Sequence, residues 1–319
     1  MSLPPFVHPL GHGIHLVDTG FHRDDFDAAY LVVQDGRAAF IDTGTNFSVP
    51  RLLAALDALG LARSAVDWVI PTHVHLDHAG GLGALVRELP EARVLVHPRG
   101  ARHLVDPSAL YQGALAVYGQ AEMDRNYGQL VPVEASRVVS SSDGGRITLA
   151  GRTLMTLDTP GHARHHHCIW DEASRGWFTG DTFGLSYREF DVEGRPWILP
   201  TTTPVQFEPE ALRASVARML AYQPEAMYLT HYGRVREVPR LAEVLLAQLG
   251  ELEAAGRALN HAPDRGEALR NVVREVHLRS LAAHGCTMPR AEAAELLELD
   301  VGLNAQGLEA WLDRPARAS

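Results

Sequence analysis

Thr72-His73-Val74-His75-Leu76-Asp77-His78-Ala79-Gly80-Gly81 is the stretch on which the reading of this chain turns. Three histidines and one aspartate fall within six positions, 73–78. Ahead of them, Val66-Asp67-Trp68-Val69-Ile70 is a short run rich in β-branched and aromatic residues, the mark of a buried strand. Behind them, Leu82, Leu85, Val86 and Leu89 recur at helical spacing. The cluster therefore occupies a loop between the end of a strand and the start of a helix, where open α/β sheets place their chemistry. Neutral imidazole and carboxylate are the ligands that borderline divalent metals such as zinc prefer. A turning backbone can aim His73 and His75 to one side and Asp77 and His78 to the other. It would then feed two metal positions about 3.5–4 Å apart, as in two-metal hydrolytic sites. The alternative is a polar loop in which Asp77 and His78 serve only a helix end.

Four more segments extend the pattern. Ala39-Phe40-Ile41-Asp42-Thr43-Gly44 lies upstream, and Asp158-Thr159-Pro160-Gly161-His162, Trp177-Phe178-Thr179-Gly180-Asp181-Thr182 and Tyr228-Leu229-Thr230-His231-Tyr232-Gly233 lie downstream. In order and spacing, over about residues 10–235, these motifs resemble the metallo-β-lactamase-fold hydrolase superfamily, in its glyoxalase II-like or uncharacterised hydrolase branch. The hallmark of that superfamily is His-x-His-x-Asp-His. The resemblance implies an α/β fold, an αββα sandwich. It implies that His73, His75 and His162 hold one metal, that Asp77, His78 and His231 hold another, and that Asp181 bridges them. The cofactors would be two divalent ions, zinc first, with iron or manganese as alternatives. Asp77 and Asp181 are the catalytic carboxylates on this reading, and a metal-bound hydroxide attacks a small ester, thioester or lactone. Two rivals carry the same ligands: a mononuclear iron oxidoreductase of the persulfide-dioxygenase kind, and a ligand-binding or regulatory module that merely retains its metals. Flavo-diiron relatives usually have Glu where His75 stands, which argues against that branch. His166 matches a histidine that many relatives carry four residues after the third ligand, at a non-ligand position, and is a substrate-contact candidate. His165 and His167 are expected to be structural or to support the ligands.

The 319 residues allow a sizeable core, and 46% hydrophobic with 21% charged residues is ordinary for a globular protein. A formal charge of −10 without a basic block argues against nucleic acid as a partner. Cys168 and Cys286 stand far apart, which suits a reducing compartment and offers no disulfide framework. The N-terminus shows no secretory pattern and no apolar run reaches membrane-spanning length, so the expected location is cytoplasmic, with no membrane partner. A small-molecule substrate is the expected partner, with room for a homodimer.

Along the rest of the chain, Gly13–Val17, Tyr30–Val33 and Ala38–Ile41 read as strands, the last two joined by an Asp35-Gly36 hairpin turn. Asp42 ends the strand either as a support for a ligating imidazole or in a simple turn. Ser48 is placed to cap a helix running to about Leu59, with Pro50 in its first turn. Arg93–His97 reads as a strand with a structural His97, and His8, His12, His15 and His22 read as surface or loop residues. Residues 101–130 break the strand–helix rhythm. They form either a helical excursion with packed tyrosines or an irregular flap on which Tyr111, Tyr118 and Tyr127 face substrate. Tyr187 and Arg188 are further substrate candidates. Glu210–Leu220 is helical, and Met227–Leu229 is a strand delivering His231. Past Arg236 the stripes Leu241/Val244/Leu245/Leu249/Leu252, Leu269/Val272/Val273/Val276 and Leu296/Leu297/Leu299 predict helices alone. The expected organisation is a catalytic domain over 1–235 and an all-helical C-terminal extension over 236–319, whose apolar stripes must be buried somewhere.

Overall fold

In the computed structural model, residues 3–202 and 206–314 are described. The chain forms two compact units. Unit 1 comprises the chain up to Asp158, then His165–Gly180 and Pro224–Arg236; unit 2 comprises Thr159–Arg164, Asp181–Gln223 and the chain from Glu237 onward.

Unit 1 opens with an antiparallel run, β1 (Val7–Gly11), β2 (Ile14–Asp18), β3 (Ala28–Gln34) and β4 (Arg37–Ile41). The Asp35-Gly36 turn joins β3 to β4 as its sequence predicts, with φ of 45° and 76° at the two residues. After α1 (Val49–Ala58), β5 (Val66–Ile70) lies parallel to β4. The histidine-rich stretch opens into the single turn α2 (Leu76–Ala79) and then α3 (Leu82–Glu88), and β6 (Arg93–Val96) follows, parallel to β5. Ser48 does not cap α1: its hydroxyl turns back to accept the Thr45 N–H at 3.2 Å, closing the short 3-10 turn before the helix.

Residues 98–127 are helical rather than irregular. They form α4 (Pro98–Val105), α5 (Ser108–Tyr118), α6 (Gln120–Glu122) and a wide π turn over Met123–Tyr127. Ala, Leu and Gln in α5 are good helix formers, and Gly119 at φ 78° stops it. His97 is structural as expected: Nδ1 accepts the Arg99 N–H at the start of α4, and Nε2 lies 3.2 Å from Asp158 Oδ1. β7 (Val138–Ser140) completes a seven-stranded sheet in the order β1 to β7.

The second sheet has six strands in the order β13-β12-β11-β10-β9-β8. They are β8 (Arg146–Leu149), β9 (Arg152–Asp158), β10 (His167–Asp171), β11 (Gly176–Gly180), β12 (Ala226–Leu229) and β13 (Gly233–Val235). β12 runs parallel to β11, and β13 is an added edge strand that the sequence reading lacks. The inner strands β3 and β4 are buried on both faces over most of their length, which is why they read as continuous apolar runs, whereas the edge strands β1 and β7 are largely exposed or half-buried. One face, with Leu31, Phe40, Val69 and Val94, packs on Leu52, Leu56, Leu82 and Leu85 from the helices. The other, with Leu16, Tyr30, Ile41 and Ile70, packs on Leu154, Ile169, Phe178 and Tyr228 of the second sheet. The Tyr30 hydroxyl crosses that interlayer to donate to the Leu229 carbonyl.

Unit 2 contains α7 (Pro209–Leu220), α8 (Val238–Leu259), α9 (Arg265–His284), α10 (Arg290–Leu296) and α11 (Glu298–Leu312). α9 packs against both α8 and α11. The first two apolar stripes are buried at Leu241, Leu245, Leu249 and Leu252 and at Leu269, Val273 and Val276. The third is misjudged: Leu299 is exposed, and Leu297, Val301, Ala305 and Leu308 carry the buried face. They step by four, four and three residues, the helical period that Leu299 breaks. The architecture is an αββα sandwich of two mixed sheets with a C-terminal helical region. Among the described residues no helix is long and apolar enough to cross a membrane.

Candidate metal centre

Five of the seven candidate ligands belong to unit 1. His73, His75, Asp77 and His78 follow the C-terminal end of β5, and His231 follows the C-terminal end of β12. Gly81 lets this loop lie against the β4 turn, since a Cβ there would meet the Thr45 carbonyl oxygen at 2.4 Å. At Gly180, with φ +46°, a Cβ would meet the Thr72 hydroxyl at 2.5 Å and His166 Nε2 at 2.6 Å.

The hydrogen bonds on each imidazole assign its lone pair. His231 Nδ1 lies 2.9 Å from the Phe26 carbonyl oxygen, which can only accept, so Nδ1 carries the hydrogen and Nε2 the lone pair. His78 Nδ1 lies 2.9 Å from Asp42 Oδ2 and is fixed the same way. Asp77 Oδ2 is 3.4 Å from His231 Nε2 and 3.8 Å from His78 Nε2. One ligand atom from each of these three residues fits within a 4.8 Å cluster, the size of a single metal's coordination shell. His73 Nε2 faces His75 Nδ1 at 2.8 Å, a second convergence of imidazole nitrogens.

Asp42 is the support and not a simple turn residue. It is 1% exposed, and its two oxygens receive the Thr72 N–H at 2.6 Å, the Thr72 hydroxyl at 3.0 Å, the Thr230 hydroxyl at 2.7 Å and His78 Nδ1. One carboxylate thus ties together the loops that carry His73–His78 and His231. Thr72 and Thr230 are Asp42 partners that the sequence reading passes over, although each directly precedes a candidate ligand in a Thr-His dipeptide. Nearby, Asp27 is fully buried, and burial pushes its carboxyl up to about 7; the Thr19 hydroxyl donates to it at 2.6 Å.

The remaining two candidates, His162 and Asp181, belong to unit 2, where His162 Nε2 lies 3.4 Å from Asp181 Oδ2. Asp181 is peptide-bonded to Gly180, the last residue of β11. The His162 loop is held from behind: the Glu208 N–H donates to the Gly161 carbonyl at 2.7 Å and the Ser215 hydroxyl to the Pro160 carbonyl at 2.6 Å. Thr201, which no sequence signal flagged, lies 2.8 Å from His162 Nδ1 and donates its hydroxyl hydrogen to the Asp181 carbonyl at 3.2 Å. With that hydrogen spent, the Thr201 oxygen accepts from His162 Nδ1–H, and His162 Nε2 is again the lone-pair nitrogen. The donor set therefore suits divalent metal ions: imidazoles with assigned lone pairs beside two carboxylates.

The substrate candidates separate by environment. Tyr118 is 38% exposed, and its ring lies 5.3 Å from, and tilted 31° to, that of Tyr127, which is buried against Phe21. Burial raises the Tyr127 phenol well above its ordinary value. Tyr111 accepts a long hydrogen bond, 3.5 Å, from Gln120. Tyr187 is buried and donates to Asp300 Oδ1 at 3.1 Å, a packing role inside unit 2 in place of an exposed hydroxyl. His166 is fully buried, its ring 4.8 Å from that of His73. His167 Nε2–H donates to the Pro71 carbonyl at 2.9 Å, so Nδ1 accepts from the Ser141 hydroxyl at 2.8 Å, and burial lowers its pKa to about 4.

A family model described as the metallo-beta-lactamase superfamily matches residues 16–231. The chain is 27% identical over 274 residues to a metallo-beta-lactamase fold-containing protein of Sulfurisphaera tokodaii, covering 84% of this chain and 96% of that one. The crystal structure of that archaeal protein aligns with a TM-score of 0.59 over 85% of this chain and 99% of its own. An acyl-coenzyme A thioesterase of Gallus gallus is 29% identical over 198 residues, 56% of this chain and 66% of that enzyme. A hydroxyacylglutathione hydrolase of a Synechococcus strain is 32% identical over 166 residues, half of either chain.

Proposed function

The chain belongs to the metallo-beta-lactamase superfamily, and from that membership we propose that it is a cytoplasmic hydrolase of small acyl thioesters, esters or lactones that works with two divalent metal ions. The observation that carries the proposal is the tautomer assignment. His78, His231 and His162 each commit Nδ1–H to an oxygen and keep Nε2 for a ligand. A protein that used these histidines only for packing has no need to set all three alike.

In this reading His73, His75 and His162 would hold one ion and Asp77, His78 and His231 the other, with Asp181 as a further carboxylate ligand. A bound divalent ion, zinc first, supplies Lewis acidity that brings the pKa of water to about 7 and polarises the acyl oxygen. The chain's own residues do the rest. Asp42 and the Phe26 carbonyl hold the imidazoles in register. Asp77 and Asp181 offset the cationic charge and are the carboxylates able to take a proton from the attacking water and return it to the leaving sulfur or oxygen. Water adds to the acyl carbon, the carbon–sulfur or carbon–oxygen bond breaks, and an acid and a thiol or alcohol result.

Two of the relatives are by name an acyl-coenzyme A thioesterase and a hydroxyacylglutathione hydrolase, which favours the thioester among these substrates. The net charge of −10 disfavours a polyanionic partner such as nucleic acid. The helical extension past residue 235 is proposed to support the site. The test is elemental analysis of protein never exposed to chelator, joined to a hydrolysis panel of thioesters, lactones and phosphodiesters. Two ions per chain and turnover strongest on a thioester are expected. Full metal occupancy with no turnover across the panel, or a single iron with oxygen uptake on a persulfide, would overturn the assignment.

A further inference from the structure

Unit 2 contains a line of buried polar side chains that ends on the segment carrying Thr201. Gln248 of α8 donates from Nε2 to the Ile198 carbonyl at 2.7 Å. Its Oε1 lies 2.9 Å from His277 Nδ1 of α9. His277 Nε2 lies 3.3 Å from Asn304 Nδ2 of α11. Asn304 then grips the backbone on both sides of Thr201: Nδ2 donates to the Pro200 carbonyl at 2.9 Å, and Oδ1 accepts the Thr202 N–H at 2.7 Å. The Thr202 hydroxyl donates to the Asn304 carbonyl at 2.7 Å. Gln248, His277, Asn304 and Thr201 are between 0% and 4% exposed.

The hydrogens along this line have one consistent direction. The His277 Nε2 lone pair accepts from Asn304, so Nδ1–H donates to Gln248, and the imidazole is neutral. Burial agrees, lowering the His277 pKa to about 3. Three polar side chains meeting inside a helix bundle are a poor way to fill volume, because each must find partners that an apolar core would not require. All three find theirs on one another and on the backbone of residues 198–202. Packing of α8, α9 and α11 explains the leucines but not this.

We infer that Gln248, His277 and Asn304 are positioning residues that act through Thr201 on His162 and Asp181. The inference rests on reading the last two as metal ligands. Thr201 is the joint whose side chain meets both candidates. Its oxygen takes the His162 Nδ1 hydrogen and its hydrogen goes to the Asp181 carbonyl, so one hydroxyl sets the tautomer of one candidate ligand and the backbone of the other. A side chain that only needs the right rotamer can find it in a loose loop. A hydroxyl that must donate and accept at fixed distances needs its peptide units held, and Asn304 holds both. The helical extension would then contribute to metal binding without supplying a ligand.

The test uses the full chain with zinc as probe and four variants: Thr201→Val, Thr201→Ser, Asn304→Leu and His277→Leu. Three quantities are read: stepwise zinc affinity by competition with a chromogenic chelator, the melting temperature of the metal-free protein, and the His162 tautomer by long-range ¹H–¹⁵N NMR. Thr201→Val and Asn304→Leu are expected to weaken one zinc step by about 10- to 100-fold, the usual effect of removing a partner of a ligating histidine. His277→Leu should weaken the same step by less. Both Thr201→Val and Asn304→Leu should shift His162 toward the Nε2–H tautomer, and Thr201→Ser should restore affinity. A purely structural network predicts lower melting temperatures with unchanged zinc affinity and tautomer, and that result would overturn the inference while leaving the ligand reading intact. If Asn304→Leu does not fold, Thr201→Val decides alone, since unchanged affinity there removes the joint. A wild-type chain that binds no zinc overturns the ligand reading and this inference with it.

Discussion

Asp42→Asn is the most informative single change in unit 1. The two carboxylate oxygens each serve a donor that cannot turn away: Oδ1 takes the Thr72 N–H at 2.6 Å and Oδ2 takes His78 Nδ1–H at 2.9 Å. The Thr72 and Thr230 hydroxyls also bond there, but they can rotate. Asn offers one acceptor oxygen, so one of the two obligate donors loses its partner. The peptide N–H is fixed, whereas His78 can move its hydrogen to Nε2, and that tautomer presents no lone pair toward Asp77 and His231. Asp42 sits at φ 55°, a left-handed conformation that Asn tolerates well, so the substitution adds no backbone strain. In the metal-free protein the change swaps charge-assisted for neutral bonds, a loss of about 1–2 kcal/mol. For a chain of 319 residues that is a fall of roughly 1.5–3 °C in Tm. The metal position served by Asp77, His78 and His231 should lose about 10- to 100-fold in affinity, or about 1.4–2.8 kcal/mol. Stepwise zinc titration against a chromogenic chelator and thermal melting of the metal-free protein measure the two effects separately. Zinc affinity within twofold of wild type at both steps would refute the reasoning, whatever happens to Tm.

Asp181→Asn removes a negative charge at nearly constant volume; metal content should fall toward one ion per chain and kcat by at least about 100-fold, and wild-type rates would sink the bridging assignment. Tyr127→Ala empties a buried site and should cost about 3 kcal/mol of stability. Tyr118→Ala, at the exposed end of the same pair, should leave Tm near wild type and alter the relative kcat/KM for two acyl substrates; flat selectivity makes the segment scaffold. His277 has a folded pKa of about 3, below the ordinary value near 6.5, so the folded state binds fewer protons. Its contribution is complete above pH 6.5 and is lost as pH falls toward 3, by about 2 kcal/mol at pH 5. Urea unfolding at pH 7 and pH 5 should show that loss in the wild type and a smaller one in His277→Gln, and parallel behaviour of the two would contradict a buried neutral imidazole.

The motifs found by reading outward from residues 72–81 placed the sandwich through their resemblance to the metallo-β-lactamase superfamily; local pattern added only that apolar strands carry polar residues at their ends. The ligand candidates were legible for the same reason. His73, His75, Asp77 and His78 crowd one loop, and His162, Asp181 and His231 each follow the end of a strand. The helical character of residues 108–118 was less legible, since a run of small residues with scattered tyrosines has no clear period. The exposed Leu299 misled because a leucine pair states hydrophobicity without stating which face of the helix it occupies.

By itself the sequence determined most of the strands and helices and which residue types stand at the strand ends, since both depend largely on local pattern. Tertiary structure alone decided the partners. Asp42 lies 30 residues from Thr72, 36 from His78 and 188 from Thr230, yet one carboxylate receives all three. Asn304 lies 102 residues from Thr202 and 27 from His277. A hydrogen bond is satisfied within about 3 Å whatever the chain distance between donor and acceptor. Which nitrogen of a histidine keeps its lone pair is therefore written in no local stretch, and is set only once the fold brings the acceptor to it.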